Sequence, residues 1–229
     1  MLTQTQIDHL FEFCEKHFVR HYDLQAELVD HLANAIEEQM GGQPNLSFEK
    51  ALDNVYQSFG PTGFGRLISD KRIAAEKQGS KMFWKFFREH LRWPKALLLL
   101  LIIAFSYSLF TVDVLFFRIF YISIFLLCPL GEMFAVFNFS RTISSTGKKF
   151  LTADFSRGSR LFLFLFFVPV YPDMFEKNFP PTSYGMWSIL FLSSLLAILV
   201  IITIADIQVL LSVKKRLQND YPKVFANSN

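Results

Sequence analysis

This chain of 229 residues is short of cysteine, of glycine-rich motifs and of charge of one sign, and each shortage removes a class of protein. Its two cysteines, Cys14 and Cys128, fall in unlike parts of the chain, one ahead of the apolar stretches and one within them, so a disulfide framework is excluded. A net charge of +3 is too small to argue for nucleic acid, and no direct nucleic-acid binding is expected. Residues 1–30 lack a basic start, an apolar core and a small-residue cleavage site, so no cleavable signal peptide is expected. Phosphate-loop chemistry is missing too. Ser144-Ser145-Thr146-Gly147-Lys148-Lys149 lacks the earlier glycine and a preceding strand, and Gly63-Phe64-Gly65 has no strand before it. With no nucleophile and base in a recognisable motif, the chain is expected not to be an enzyme and to need no cofactor.

What is plentiful is apolar. Hydrophobic residues make up 52% of the chain, and 28 positions are Phe. Between Ala96 and Phe139 the only charges are Asp113, Arg118 and Glu132. At about 1.5 Å per helical residue that stretch reaches roughly 66 Å, two bilayer crossings. Crossings are predicted near 95–112, 118–139, 158–175 and 185–211, with the first turn near Thr111 to Arg118. Pro169 and Pro172 crowd the end of the third, which makes it a candidate for a kink or a re-entrant path. Lys214, Lys215 and Arg216 stop the fourth.

Basic residues avoid one side of these stretches. From residue 81 on they gather in Lys81/Lys85/Arg88/Arg92/Lys95, Arg141/Lys148/Lys149/Arg157/Arg160 and Lys214/Lys215/Arg216/Lys223, with only Arg118 and Lys177 elsewhere. The positive-inside rule then predicts a multi-pass protein of the bacterial inner membrane with both termini in the cytoplasm. Trp93 falls at the cytoplasmic interface, while Tyr107, Tyr121, Tyr171, Tyr184 and Trp187 gather toward the other.

Residues 1–80 carry helical periodicity instead. Ile7, Leu10, Phe11, Cys14 and Phe18 follow Thr3 and Thr5, either of which can cap a first helix. Asp23 is predicted to cap a second, with Leu24, Leu28, Leu32, Ala35 and Ile36 on one face and Gly41-Gly42 at its end. Ser47 caps a third, bearing Ala51, Leu52, Val55, Tyr56 and Phe59 and closed by Gly60-Pro61. A fourth is predicted over 62–78. The expected architecture is all-α: a small cytoplasmic helical bundle (1–80), an interfacial amphipathic helix (81–93), a four-helix transmembrane domain (94–213) and a cytoplasmic tail (214–229). In the interfacial helix Lys81, Lys85, Arg88 and Arg92 share one face, while Phe83, Trp84, Phe86, Phe87, Leu91 and Trp93 fill the rest. That pattern suits the headgroup layer of an anionic leaflet; the plainer alternative is a cytoplasmic extension of the first crossing.

The run Asp23-Leu-Gln-Ala-Glu-Leu-Val-Asp-His-Leu-Ala-Asn-Ala-Ile-Glu38, with Ser47-Phe-Glu-Lys-Ala-Leu52 and Phe59-Gly60-Pro61, resembles the HAAS-type helical signalling domains of bacterial membrane proteins. The resemblance covers about residues 20–70. It implies a membrane-bound regulator with a cytoplasmic protein partner, a PadR-type transcription regulator being the partner the family suggests. Asp30-His31 within the acidic helix and the Phe-rich membrane half depart from the family's pattern. Glu27, Asp30 and His31 are the candidate partner-binding residues; the alternative is that they stabilise the helix pair.

Two further groups stand out. Glu132 and Asp206 are ionisable residues inside predicted crossings, where charge is expensive, and each lies two to three turns before its basic anchor, Arg141 and Lys214. They are expected at similar depth, with Thr203 on the face of Asp206 and with Pro129 and Gly131 loosening the helix ahead of Glu132. The layer reads either as an ion or proton site or as polar glue between helices. Cys14, His17 and His21 recur at i, i+3 and i+7, a spacing compatible with zinc on one helix face, but a fourth ligand is not evident and Cys14 also belongs to the apolar stripe. No metal is expected.

Overall fold

The computed structural model describes residues 1–43, 45–156 and 186–226, and all regular structure among them is helical. The predicted third crossing lies outside the described residues. Two compact units form: Met1–Gln78 with Ile143–Phe155 and Val224–Asn229, and Gly79–Thr142 with Ser156–Lys223.

The first unit begins with α1 (Gln4–Lys16). Thr3 caps it by accepting from the Gln6 amide, while the Gln6 side chain accepts from the Thr3 amide at 2.8 Å, a reciprocal capping box. The chain turns at Phe18, whose φ of 65° is left-handed, and enters α2 (Tyr22–Gly42). α3 (Phe48–Ser58) starts on Ser47, whose hydroxyl accepts from the Lys50 amide. Leu10, Cys14, Leu28, Leu32, Ile36, Ala51 and Phe64 close a dry core between these helices, as the helical periodicity of residues 1–60 predicts.

α4 (Gly65–Leu91) departs from expectation at both ends. It starts three residues late because Gly63 has φ +50 and Tyr56 packs against it so tightly that a Cβ would stand 2.5 Å from the tyrosine hydroxyl. It also runs on past Gln78, where an end was predicted. Gly79 and Ser80 cannot stop a helix as proline would, so the turn waits for Arg92 and Trp93 just ahead of Pro94. These last two interface residues therefore lie beyond the helix.

In the second unit, α5 (Ala96–Val112) follows α4 after a 66° bend. The predicted turn of several residues shrinks to Asp113, an extended residue whose carboxylate accepts from the Leu115 amide at 2.8 Å and so caps α6 (Val114–Ser144). α6 continues through Pro129 without a break. α7 (Leu151–Ser156) belongs to the first unit up to Phe155. α8 (Met186–Asp220) carries Lys214, Lys215 and Arg216 within it, so the helix continues beyond the apolar part, and α9 (Pro222–Ala226) closes the described chain. Charge does not end a helix; it only sets where the apolar part ends. Leu115–Ser144 and Leu190–Asp220 are long and apolar enough to cross a membrane, and a third such element arises if α4 and α5 are taken as one bent span.

Candidate functional site

Two places bring polar chemistry together, one in each unit. In the second unit, α6 and α8 run in the same direction. Phe117 and Tyr121 of α6 pack with Leu192 and Leu196 of α8 near one end, and the Lys214 ammonium donates to Thr142 Oγ1 at 3.0 Å near the other. Between these markers the Cys128 thiol faces the Thr203 side chain and lies beside the Glu132 carboxyl. Glu132 is one turn beyond Cys128 and Asp206 is one turn beyond Thr203, so the common register brings both carboxyls to one level. All three predicted residues are buried: Glu132, Thr203 and Asp206 are 5%, 5% and 7% exposed. Cys128 was not singled out for this layer, although its spacing of four residues from Glu132 marks it as a neighbour on the same helix face. Ser106 and Ser193 are also fully buried, and their hydroxyls find no hydrogen-bond partner among the described residues.

The second place is the N-terminus of α2, and it corrects two expectations. Asp23 does not cap α2; the N-cap position is His21, which makes no side-chain capping bond. The Asp23 carboxylate turns instead to the connection after α6 and caps α7. It accepts from the Leu151 amide at 2.9 Å, the Thr152 amide at 3.1 Å and the Thr152 hydroxyl at 3.0 Å. In return the Tyr22 amide donates to the Lys149 carbonyl at 2.7 Å. Two helix starts thus satisfy each other's orphan groups across more than a hundred residues of sequence. His21 Nε2 meets the Asp154 carboxylate at 3.0 Å, the Lys148 ammonium lies over the Tyr22 ring, and Phe150, 1% exposed, packs between Tyr22 and Phe225. The segment Ile143–Phe155 is thus part of the first unit.

The metal arrangement fails on the same ground. Because α1 ends at Lys16, Cys14, His17 and His21 do not share a helix face. Cys14 is fully buried, and burial pushes its thiol up to about 12, which disfavours the thiolate that zinc requires. His17 hydrogen-bonds the Phe13 carbonyl and packs on Phe13 and Tyr56, while His21 faces Asp154. No cluster of three potential ligands occurs among the described residues.

The remaining predicted residues separate. Glu27 forms an ion pair with Lys71 of α4 and lies 3.9 Å from His31. Asp30 and His31 are exposed on α2. Along α4, Lys81, Lys85 and Arg88 are exposed with Trp84, which is 52% exposed, while Phe83 and His90 are buried. Arg92 and Trp93 are exposed in the turn.

Comparisons with family models, with curated proteins and with solved structures each return no match.

Proposed function

We propose that this chain is a multi-pass regulatory protein of the bacterial inner membrane, in which the first unit lies in the cytoplasm and binds a protein partner. The observation that carries the reading is the make-up of that unit. A helical domain with its own core incorporates the segment that directly follows a long apolar helix, so a change in α6 has a covalent and hydrogen-bonded route into α2. In this reading four crossings span the bilayer with both termini inside. Membrane lipids are the second partner: with α5 as the first crossing, the 66° bend lays α4 nearer the membrane plane than its normal, and Lys81, Lys85, Arg88 and Trp84 offer anionic headgroups a basic, aromatic face. The exposed Asp30 and His31 mark the partner-binding face, and the resemblance over residues 20–70 supports a transcription regulator as its occupant.

The test is site-specific photocrosslinking in cells, with the crosslinker at Asp30 or His31 of the full chain and at Glu12 as control. A discrete adduct from the α2 positions and none from the control supports the reading; no adduct at either α2 position sinks it.

A second reading has its own observation. The layer of buried Glu132, Thr203 and Asp206 with the half-buried Cys128 is what a small ion-coupled transporter would place at its site. Ion flux into proteoliposomes that is lost in Glu132→Gln and Asp206→Asn would favour it over polar glue.

A further inference from the structure

We infer that the segment Lys148–Asp154 is a releasable strap and that Asp23 is the positioning residue that latches it. This deepens the regulatory reading and rests on it, since it names the element that carries the signal. The strap's grip is concentrated. Three of its bonds end on the one Asp23 carboxylate, a fourth joins Tyr22 to Lys149, and His21 meets Asp154. Its apolar hold consists of Phe150, Leu151 and Ala153, which are 1%, 7% and 0% exposed.

Two physical facts make this hold conditional. α7 has six residues, far too few to persist as a helix in water without its cap. Losing the carboxylate therefore removes both the bonds and the structure that presents them. The rim of the strap is also open to solvent: Lys148, Lys149 and Asp154 are exposed, and the side chain of His21 is only partly covered. By contrast, the α1–α2–α3 core around Leu10, Leu32 and Ala51 contains no residue of the strap, so this core can stay folded when the strap lets go. An ordered and a released segment on a constant core make the kind of two-state element through which a distant helix can act.

The strap follows α6 after the three-residue turn 145–147, and the first unit already includes Ile143 and Ser144 at the end of that helix. A shift of α6 therefore has a short covalent path to the strap. Tyr22, whose amide is tied to Lys149 and whose ring stacks on Phe11 at 6.0 Å, is where such a pull enters the core.

The experiment uses the full chain in nanodiscs and reads amide hydrogen exchange. In Asp23→Ala, amides of residues 149–154 should exchange at least tenfold faster, while those of α3 change less than twofold. Asp23→Asn, which keeps the size but loses the charge, should give an intermediate increase. Unchanged exchange over 149–154 overturns the latch, and an equal increase throughout α1–α3 overturns it as well, because Asp23 would then simply hold the domain together. Relay is tested by Pro129→Ala, which restores a hydrogen bond within α6. It should alter exchange of the Tyr22–Gln25 amides at least threefold in the native background and not in Asp23→Ala. No change in the native background, or the same change in both, overturns the relay. Both readouts are independent of any partner, so failure of the photocrosslinking would leave them standing and their failure would leave the partner question intact.

Discussion

The two units treat the same apolar residues in opposite ways. In the first unit large side chains are inside: Leu10, Leu32 and Ile36 are 0% exposed. In the second many face outward, although Phe117, Leu192 and Leu196 are buried between helices: Leu101, Leu127 and Phe134 are 64%, 63% and 67% exposed, while Glu132, Thr203, Asp206, Ser106 and Ser193 are within. Water explains the first pattern, because burial removes apolar area from it. The second is the pattern that contact with lipid would produce, because hydrocarbon offers no reward for hiding leucine and a large one for hiding polar atoms. The lesson is that hydrophobic content says little until the solvent is known.

The comparison can be broken most directly with a matched pair of truncations. Leu32→Ala should cost the first unit about 2–5 kcal/mol by loss of burial and creation of a cavity. Leu101→Ala, on the outward face of α5, should cost less than about 0.5 kcal/mol. Denaturant titration in mixed micelles measures both, and equal costs would erase the distinction. Next in size is Leu127→Lys, near the middle of α6. If the outward face meets lipid, insertion should be penalised by about 2.5–3.5 kcal/mol, seen as loss from the membrane fraction. If it meets water, the lysine would be tolerated.

A smaller effect belongs to Cys14. Burial raises its thiol to about 12 in the folded state, so the folded form holds its proton more firmly than the unfolded form. The resulting stability is complete below about pH 9 and is lost as the pH climbs from there toward 12, by about 1.4 kcal/mol per unit. Melting temperatures of the native chain and of Cys14→Ala should therefore differ by a constant amount below about pH 9 and converge or cross above it, with Cys14 unreactive to thiol reagents at pH 8. The smallest effect is that of Thr203→Val. The Thr203 hydroxyl is buried with no hydrogen-bond partner at normal distance among the described residues, so its replacement by a methyl should change stability by less than about 1 kcal/mol. A larger loss, read by denaturant titration, would show that the hydroxyl has work to do in the polar layer.

Sequence patterns served well where one helix decides its own structure. Thr3 and Ser47 cap the helices that follow them, and the stripes of Leu and Ile on the first three helices become the core. Rarity marks Glu132 and Asp206 among apolar neighbours, and both side chains are buried. Where the decision lies elsewhere in the chain, local rules failed. Asp23 looks like the cap of its own helix, and no periodicity reveals that its carboxylate serves amides at 151 and 152. The zinc-like spacing of Cys14, His17 and His21 failed for a related reason: the helix it presumes ends at Lys16, and each side chain finds another environment. Asp113 shows the same limit on a small scale, since it makes a hairpin from one extended residue where composition suggested several.

The discontinuous make-up of the first unit also bears on how the protein is made. Residues 1–78 leave the ribosome first, but the next piece of their unit, 143–155, comes only after α5 and α6 have been synthesised. At typical elongation rates the wait is roughly 4 to 15 s. During it the start of α2 has an unoccupied carboxylate and an uncovered aromatic face. The finished domain is therefore a record that α5 and α6 have already been made, which ties the folding of residues 1–78 to the synthesis of the apolar helices that follow them.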